Sequence, residues 1–180
     1  MREVFDGGLI DLIPELRVYA FGLCRSWCEA DDLVQDALVR ALRSRSQFEP
    51  GSNLRAWMFT ILRNAFYSDA ARRRRVVQDV DGILAAQLTT EAEQAWRMEY
   101  EEVLDAMRGL TLQARDALVL VLGSGLSYEE AAEVCDCPVG TMKSRVNRAR
   151  ERVAELVGER AHIPLPLPET PLRAVAGAWR

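Results

Sequence analysis

Residues 127–152 contain two short helical patterns separated by a tight break, and this arrangement constrains the fold more than any other part of the chain. Ser127 and Glu130 have the spacing of a capping box, which is a signature of a helix N-terminus. Asp136-Cys137-Pro138 ends the first pattern, because proline cannot continue a helix but can open the next one. The stretch therefore predicts two short helices joined by a turn of about three or four residues.

The second helix of this pair has an apolar stripe and a basic surface. Its stripe, with spacings of four, three and four, consists of Met142, Val146, Ala149 and Val153. The basic side chains are Lys143, Arg145, Arg148, Arg150 and Arg152, opposed by Glu151. A basic helix that follows a tight turn is typical of a DNA-binding helix-turn-helix. The alternative is an amphipathic helix whose basic face is only solvated.

The net charge of −4 hides an uneven distribution of charge along the 180 residues. Residues 54–78 carry six arginines and one acid, a net of +5, whereas residues 79–105 carry one arginine and eight acids, a net of −7. Residues 139–160 carry six basic and three acidic residues, a net of +3. The acidic total argues against nucleic-acid binding, but the two separate basic segments are each suited to it.

The sequence also indicates a compartment. No apolar run approaches the roughly eighteen residues of a membrane span, and the N-terminus has no hydrophobic signal core, so we expect a cytoplasmic protein without membrane insertion. Cys24 and Cys28 are one turn apart on a predicted helix, Cys135 and Cys137 straddle the predicted turn, and His162 is the single histidine. Neither cysteine spacing is usual for zinc. We therefore expect small buried thiols, no metal and no cofactor.

Apolar periodicity indicates helices along the whole chain, without a convincing strand. The first helix spans 9–28, with Pro14 early enough to lie in its first turns. The second spans 30–44, and a loop over 44–53 leads to a third over 54–75. The apolar face of the second helix consists of Leu33, Val34, Ala37, Leu38, Ala41 and Leu42.

Capping signals at Thr90 and Thr111 begin further helices in the second half of the chain. We therefore predict an all-α fold of two small helical domains joined by an acidic linker, the C-terminal domain containing the helix-turn-helix. The predicted parts are an N-terminal domain at 8–75, a linker at 76–89, a C-terminal domain at 90–158 and a proline-rich tail at 159–180.

The third helix combines a core stripe with aromatic and basic residues. The stripe consists of Leu54, Trp57, Met58, Ile61, Leu62 and Ala65. Trp57, Phe59, Phe66 and Tyr67 alternate with Arg55, Arg63, Asn64 and the arginines at 72–75. Aromatic rings stack on unpaired bases and arginines hold phosphates, so this helix is a candidate for binding single-stranded DNA. Trp57 lies on the apolar stripe, where a core role is the stronger interpretation.

Three segments in order resemble a known family. The run LRAWMFTILRNAFYSDAARRRR at 54–75 resembles the promoter-melting helix of bacterial sigma factors, and ADDLVQDALVRAL at 30–42 resembles their polymerase-clamp-binding helix. GLSYEEAAEV and PVGTMKSRVNRARERV resemble their promoter-reading helix-turn-helix. Order and spacing over 8–158 are similar to the extracytoplasmic-function type, including its general-stress members. The departures are Thr111-Leu112 in place of Leu-Pro and Ala132 in place of isoleucine, and both concern structural positions.

The resemblance implies a protein that is not an enzyme and that directs core RNA polymerase to promoters. It further implies a role in a stress response, under the control of an anti-sigma factor. The residues that it places on the polymerase clamp are Asp32, Gln35, Asp36 and Arg40. Without the resemblance, these side chains would be interpreted as an ordinary solvated helix face.

The resemblance also implies two promoter contacts. Loop 44–53 and helix 54–75 would hold the non-template strand of the minus-ten element, with one base extruded into a loop-lined pocket. The candidate contacts with the minus-ten element are Arg63, the base-reading pair Asn64 and Asp69, and the phosphate-binding Arg72 and Arg73. In the major groove of the minus-thirty-five element the candidates are Thr141, Lys143, Ser144, Arg145 and Arg148. Arg145 is the candidate for a bidentate guanine contact.

Other functions explain the sequence less well. A sigma-like decoy would keep the fold and sequester an anti-sigma factor without binding promoters, but it would not need the basic residues at 72–75 and in the second helix of the pair. A two-component regulator would share the helix-turn-helix but not the melting helix. The acidic linker could run through the polymerase channel for nascent RNA or be a solvated spacer. No glycine-rich phosphate loop or nucleophile elbow supports a hydrolase or transferase.

Overall fold

The structure, a computed structural model, describes residues 2–77 and 106–157. These residues form helices and turns without a strand, which confirms the all-α prediction. The helix predicted to begin at Thr90, most of the linker and the proline-rich tail lie outside the described residues.

The first described part is a three-helix unit. Its helices are α1 (Arg2–Cys24), α2 (Trp27–Arg43) and α3 (Leu54–Val77), with a 3-10 turn at Arg45–Gln47 in the loop before α3. Asn53 begins α3 because its side-chain oxygen accepts a hydrogen bond from the Ala56 amide at 3.1 Å. The interior is closed by fully buried side chains, the largest of which are Tyr19, Phe59, Leu16, Met58 and Leu62.

Two predictions for the N-terminal helices were wrong. α1 ends at Cys24 because Arg25 adopts a left-handed backbone conformation, with φ of 64°, and Ser26 caps α2. Cys24 and Cys28 therefore lie on different helices, not one turn apart on the same one. Because α1 begins at Arg2, Pro14 lies in its interior rather than in its first turns.

The second described part contains the helix-turn-helix. A 3-10 turn at Met107–Gly109 precedes α4 (Leu112–Leu118), which continues into a wider π-helical turn at Val119–Gly123. The pair that follows is α5 (Tyr128–Val134) and α6 (Val139–Val157). Thr111 caps α4 through its hydroxyl, as predicted. The predicted α6 stripe is confirmed, because all four of its side chains are buried, namely Met142, Val146, Ala149 and Val153.

The two parts pack on each other. α1 lies against α4 and the turn that follows it, and α3 lies against α5. At Gly22 the approach is close, since a Cβ there would come within 2.6 Å of Val119 Cγ1, so this position requires glycine or a shift of Val119. Leu120 and Leu126 extend the shared core toward α5. The surfaces described below therefore belong to a closed arrangement of the two parts.

Candidate polymerase and promoter interfaces

Local hydrogen bonds fix both the start of α5 and the turn between α5 and α6. Ser127 Oγ accepts from the Glu130 amide at 3.1 Å, and Glu130 Oε2 accepts from the Ser127 amide at 2.9 Å, which confirms the predicted capping box. Asp136 has a φ of 49°, a left-handed conformation that a short aspartate tolerates and that reverses the chain. The Pro138 carbonyl accepts from the Met142 amide at 3.1 Å, so α6 begins immediately after this proline.

The predicted minus-thirty-five residues form one patch along α6. Lys143, Ser144 and Arg148 are exposed, and Thr141 and Arg145 are half-buried. Arg148 Nε donates to the Ser144 carbonyl at 3.2 Å, and Ser144 Oγ donates to the Thr141 carbonyl at 2.9 Å. Because these partners are exposed backbone groups of the same helix, a DNA ligand could replace them at little cost.

An open cavity of about 400 Å³ lies between α6 and the start of α4. Three arginines from α6 line it, Arg145, Arg148 and Arg152, and Thr111 and Gln113 lie on its other side. Positive charge concentrated in a concave surface attracts anionic ligands. The sequence had not indicated this cavity, because it depends on how α4 packs against α6.

A buried carboxylate from the second part holds the basic helix of the first part. Asp116, on α4, is 1% exposed. Its Oδ2 accepts hydrogen bonds from Arg63 Nε at 2.8 Å and Tyr67 Oη at 3.1 Å, and its Oδ1 accepts from Tyr19 Oη at 2.5 Å. The Arg63 guanidinium also lies over the Tyr67 ring, 4.6 Å from the ring centroid. Arg63, a predicted DNA contact, is therefore occupied in the closed arrangement.

This network changes the ionisation of its members. Burial opposes the charged form of Arg63, but the Asp116 carboxylate more than offsets that effect and the net pKa of the guanidinium is raised. Burial first, and Asp116 second, raise the pKa of both tyrosines, so Tyr19 and Tyr67 stay neutral donors. The thiol of Cys135 lies 3.9 Å from Asp116 Oδ2, and burial raises the pKa of that thiol to about 12.

Arg55 and Asn53 make further polar contacts between the parts. Arg55 donates to Glu15 Oε2 at 2.7 Å within the first part and to the backbone carbonyl of Ser124 in the second, and its Nη1 lies 3.7 Å from Glu130 Oε2. Asn53 Nδ2 donates to Glu130 Oε1 at 2.9 Å, so the cap of α3 meets the cap of α5. Arg55, grouped by sequence with the nucleic-acid contacts of α3, is thus used within the protein in this arrangement.

The remaining α3 candidates are placed differently. Asn64 is exposed, and so is Arg72, whose Nη2 donates to Asp69 Oδ1 at 2.6 Å. Arg73 continues the helix, and its side chain lies outside the described part. The interpretation of Phe59 as a base-stacking ring is wrong, because the side chain is fully buried beside Tyr19, with ring centroids 5.2 Å apart.

The four predicted polymerase contacts share the outer face of α2. Asp32, Gln35, Asp36 and Arg40 are all exposed, and Arg40 Nη2 lies 2.8 Å from Asp36 Oδ2. Leu42 was predicted to be buried, but it is 54% exposed, and Val39 is 44% exposed. Ala41, the preceding residue, is fully buried, so the core-facing side of α2 passes through Ala41 and leaves Leu42 on the exposed side. Val39 and Leu42 are three positions apart, so their exposed side chains are neighbours on the surface of α2.

In the part of the chain that the structure describes, no group of three or more His, Cys, Asp or Glu side chains is placed to hold a metal ion. None of its four cysteines forms a disulfide. The expectation of buried thiols is correct for Cys135 but wrong for Cys28, which is exposed, and for Cys24 and Cys137, which are half-buried. None of the helices in 2–77 or 106–157 is long and apolar enough to cross a membrane.

Comparison with known proteins agrees with this geometry. The Sigma-70 region 2 family matches residues 10–76, and the Sigma-70, region 4 family matches residues 100–153. The chain is 49% identical over 149 residues to the ECF RNA polymerase sigma factor EcfG of Rhodopseudomonas palustris, across 83% of this chain and 82% of that relative.

Solved structures agree as well. The co-crystal structure of the sigma factor RpoE with the anti-sigma factor NepR from Bartonella quintana matches with a TM-score of 0.78 and 42% identity, over 88% of this chain and 99% of that one. CnrH in complex with the cytosolic domain of CnrY matches with a TM-score of 0.63 and 24% identity, over 89% and 92% of the two chains, which shows the shared fold alone.

Fold and surfaces together define a helical transcription factor with a DNA-binding helix-turn-helix. More specifically, the chain belongs to the extracytoplasmic-function family of bacterial RNA polymerase sigma factors. It directs core RNA polymerase to promoters and is not itself an enzyme.

Proposed function

We propose that this sigma factor reads the minus-thirty-five element with α6, holds the minus-ten element with α3 and loop 44–53, and docks on the polymerase clamp with α2. The observation that carries the proposal is the division of α6 into two sides. Four apolar residues are buried against α4 and α5, while Lys143, Ser144 and Arg148 face outward and Arg145 opens on the cavity. A helix with this division can enter a major groove without unfolding its own domain.

The α3 side chains that we assign to the minus-ten element have different roles. Asn64 offers an amide that can pair with a base edge, and Arg72 offers a charge for a phosphate. Arg73 follows on the same helix and is assigned to phosphate too. Arg63 joins them only after it leaves Asp116, so the proposal requires the two parts to separate on polymerase.

For the polymerase contact, we assign Asp32, Gln35, Asp36 and Arg40, together with the exposed Val39 and Leu42 beside them. The charged residues would set orientation and the apolar pair would supply buried area. Since its partner is core polymerase, we place the protein in the cytoplasm.

We further propose control by an anti-sigma factor in a stress response. The support is the 42% identity to RpoE, which was solved with the anti-sigma factor NepR. A decoy that only sequesters such a factor is the second candidate. The exposed basic side chains of α6 and Arg72 argue against it, because a decoy has no use for them.

The test is transcription in vitro with bacterial core polymerase and a promoter library. The purified chain should start transcripts at a subset of promoters, and Asp36→Arg should abolish them by reversing one charge of the docking face. Asp11→Arg, an equal reversal at an exposed position of α1, is the matched control and should retain promoter choice. A protein that binds an anti-sigma factor but yields no transcript across the library would instead be the decoy.

A further inference from the structure

The first turns of α1 pack against the loop that connects α2 to α3. Phe5 is 7% exposed, and its ring centroid lies 5.4 Å from that of Phe48 and 6.0 Å from that of Trp57. The Phe48 and Trp57 centroids are 5.2 Å apart, so the three rings close a triangle. Tilted and edge-on rings at these separations attract each other beyond their burial. Trp57 therefore packs against the core, as its place on the apolar stripe indicated.

A charged contact holds the same loop at its beginning. The Arg45 guanidinium lies over the Phe5 ring, 5.0 Å from the centroid, and its Nη1 is 3.6 Å from Asp6 Oδ1. Arg45 opens the 3-10 turn of the loop. At the far end, Gly8 lies so near the first residue of α3 that a Cβ would come within 2.7 Å of Leu54 Cδ2. The N-terminal turns therefore touch both ends of the loop.

Between these anchors the loop faces solvent. Gln47, Glu49 and Ser52 are exposed, whereas Phe48 points inward and its amide donates to the Arg45 carbonyl at 3.1 Å. Gly51 makes the reversal with φ of 93°. Since Phe48 is the inward anchor, a movement of its ring moves the exposed residues on either side. Phe5, in the first turns of α1, is the ring that packs against Phe48 and restricts its movement.

We propose that Phe5 and Arg45 are positioning residues for minus-ten recognition. They would fix the loop shape that discriminates the extruded base, without touching DNA themselves. This rests on the proposed role of loop 44–53. The Sigma-70 region 2 match begins at residue 10, so Phe5 lies outside the segment that defines the family. Recognition sites need support of this kind, because a loop displaced by about 1 Å loses discrimination.

The experiment measures base preference separately from overall activity. Transcription by the full chain with core polymerase is compared over promoters that carry each single-base change in the minus-ten and minus-thirty-five elements. Phe5→Leu, which keeps an apolar side chain but removes the ring, should lower discrimination at one or more minus-ten positions by about three- to tenfold, the scale of a lost ring pair. Discrimination at minus-thirty-five positions should not change. Phe5→Tyr should restore most of the preference, and Arg45→Gln should act in the same direction as Phe5→Leu.

The controls separate the outcomes. Ile10→Ala changes a 65% exposed side chain on the same helix and should leave both preferences intact. Gln47→Ala with Glu49→Ala alters the exposed loop directly and tests its proposed role. If this loop variant changes minus-ten preference while Phe5→Leu and Arg45→Gln do not, the positioning role is wrong. If no variant changes it, the role of the loop fails as well. If Phe5→Leu lowers transcription equally at every promoter variant, Phe5 only stabilises the fold. If Phe5→Leu does not fold, the result for Arg45→Gln decides whether the positioning role is correct.

Discussion

Arg63 Nε on α3 donates to Asp116 Oδ2 on α4 at 2.8 Å, so a carboxylate of the second described part occupies an arginine of the first. The Asp116 side chain is 2% exposed and that of Arg63 is 18% exposed. Tyr19 and Tyr67 donate further hydrogen bonds to the same carboxylate. A DNA strand that uses Arg63 must therefore compete with Asp116.

Asp116→Ala should destabilise the closed arrangement strongly. It leaves the Arg63 charge and two tyrosine hydroxyls without their acceptor, and removing one partner of a buried pair costs about 3–5 kcal/mol. Because Arg63 is partly solvated, we expect about 3 kcal/mol, measured by urea unfolding. Glu155→Ala removes a carboxylate from the exposed pair with Arg152 and should cost below about 1 kcal/mol. Equal losses for the two variants would contradict the assignment.

The pH dependence of stability should include a contribution from Glu130. The hydrogen bond from the Ser127 amide, and then that from Asn53, lower the pKa of this carboxyl despite partial burial. A folded-state pKa below the unfolded value of about 4.3 stabilises the fold above that pH and is lost as the pH falls through the folded value. Glu130→Gln should therefore be less stable than the wild type at pH 7, with the difference shrinking in acid.

The measurement is urea unfolding of both proteins from pH 7 down through the unfolded carboxyl value of about 4.3 and below it. Glu133→Gln, on the same helix with an exposed side chain, is the matched control. If Glu130→Gln is less stable than the wild type by the same amount at every pH, the cap does not depend on the charge of the carboxylate.

The sequence was most informative where structure is local. The capping box at Ser127 and the α6 stripe follow from spacings of three and four residues, and both were predicted correctly. The break at Arg25 was missed because no glycine or proline marks it, although Ser26 and Glu29 have the capping spacing that begins the next helix. Asp116 was missed for another reason, since its partners Tyr19 and Arg63 are 97 and 53 positions away. Only the packing of the two parts brings these groups together.

The base-reading role of Arg145 predicts a position-specific loss. Arg145→Ala should weaken promoter binding by about 1–3 kcal/mol and relax preference at one minus-thirty-five base pair, as expected for a bidentate contact. Arg152→Ala, from the same cavity wall, should weaken binding evenly over all sequences if it contacts phosphate. Competition assays over single-base promoter variants measure both. An even loss for Arg145→Ala would reassign it to the phosphate backbone.

The phosphate role of α3 predicts a change in salt dependence. Arg72→Ala with Arg73→Ala should flatten the log–log dependence of single-stranded minus-ten affinity by about 0.7 per lost phosphate contact. Asn64→Ala, an exposed neutral residue on the same helix, should leave the slope intact and lower base preference. Titrations at several salt concentrations distinguish the two effects. An unchanged slope for the double variant would make these arginines a solvated helix end.

The closed arrangement predicts a selective labelling pattern. Cys28 is exposed and Cys137 is half-buried, whereas Cys135 is buried and its pKa is raised to about 12, first by burial and then by Asp116. The thiolate is the reactive form, so Cys135 should resist alkylation at pH 7. Cys28 should label first, and peptide mapping after a short maleimide pulse gives the order.

The same thiols can report domain separation, which minus-ten binding through Arg63 requires. In a Cys24→Ser background, a donor and acceptor pair at Cys28 and Cys137 should give one compact distance for the free chain, because α1 and α3 lie against α4 and α5. Core polymerase should shift the pair to a longer distance, since the two domains must span two promoter elements. Asp116→Asn removes the acceptor charge for Arg63 and should populate the longer distance without polymerase. The same distance in the free, polymerase-bound and Asp116→Asn samples would rule out the opening, and Arg63 would then have to be removed from the DNA contacts.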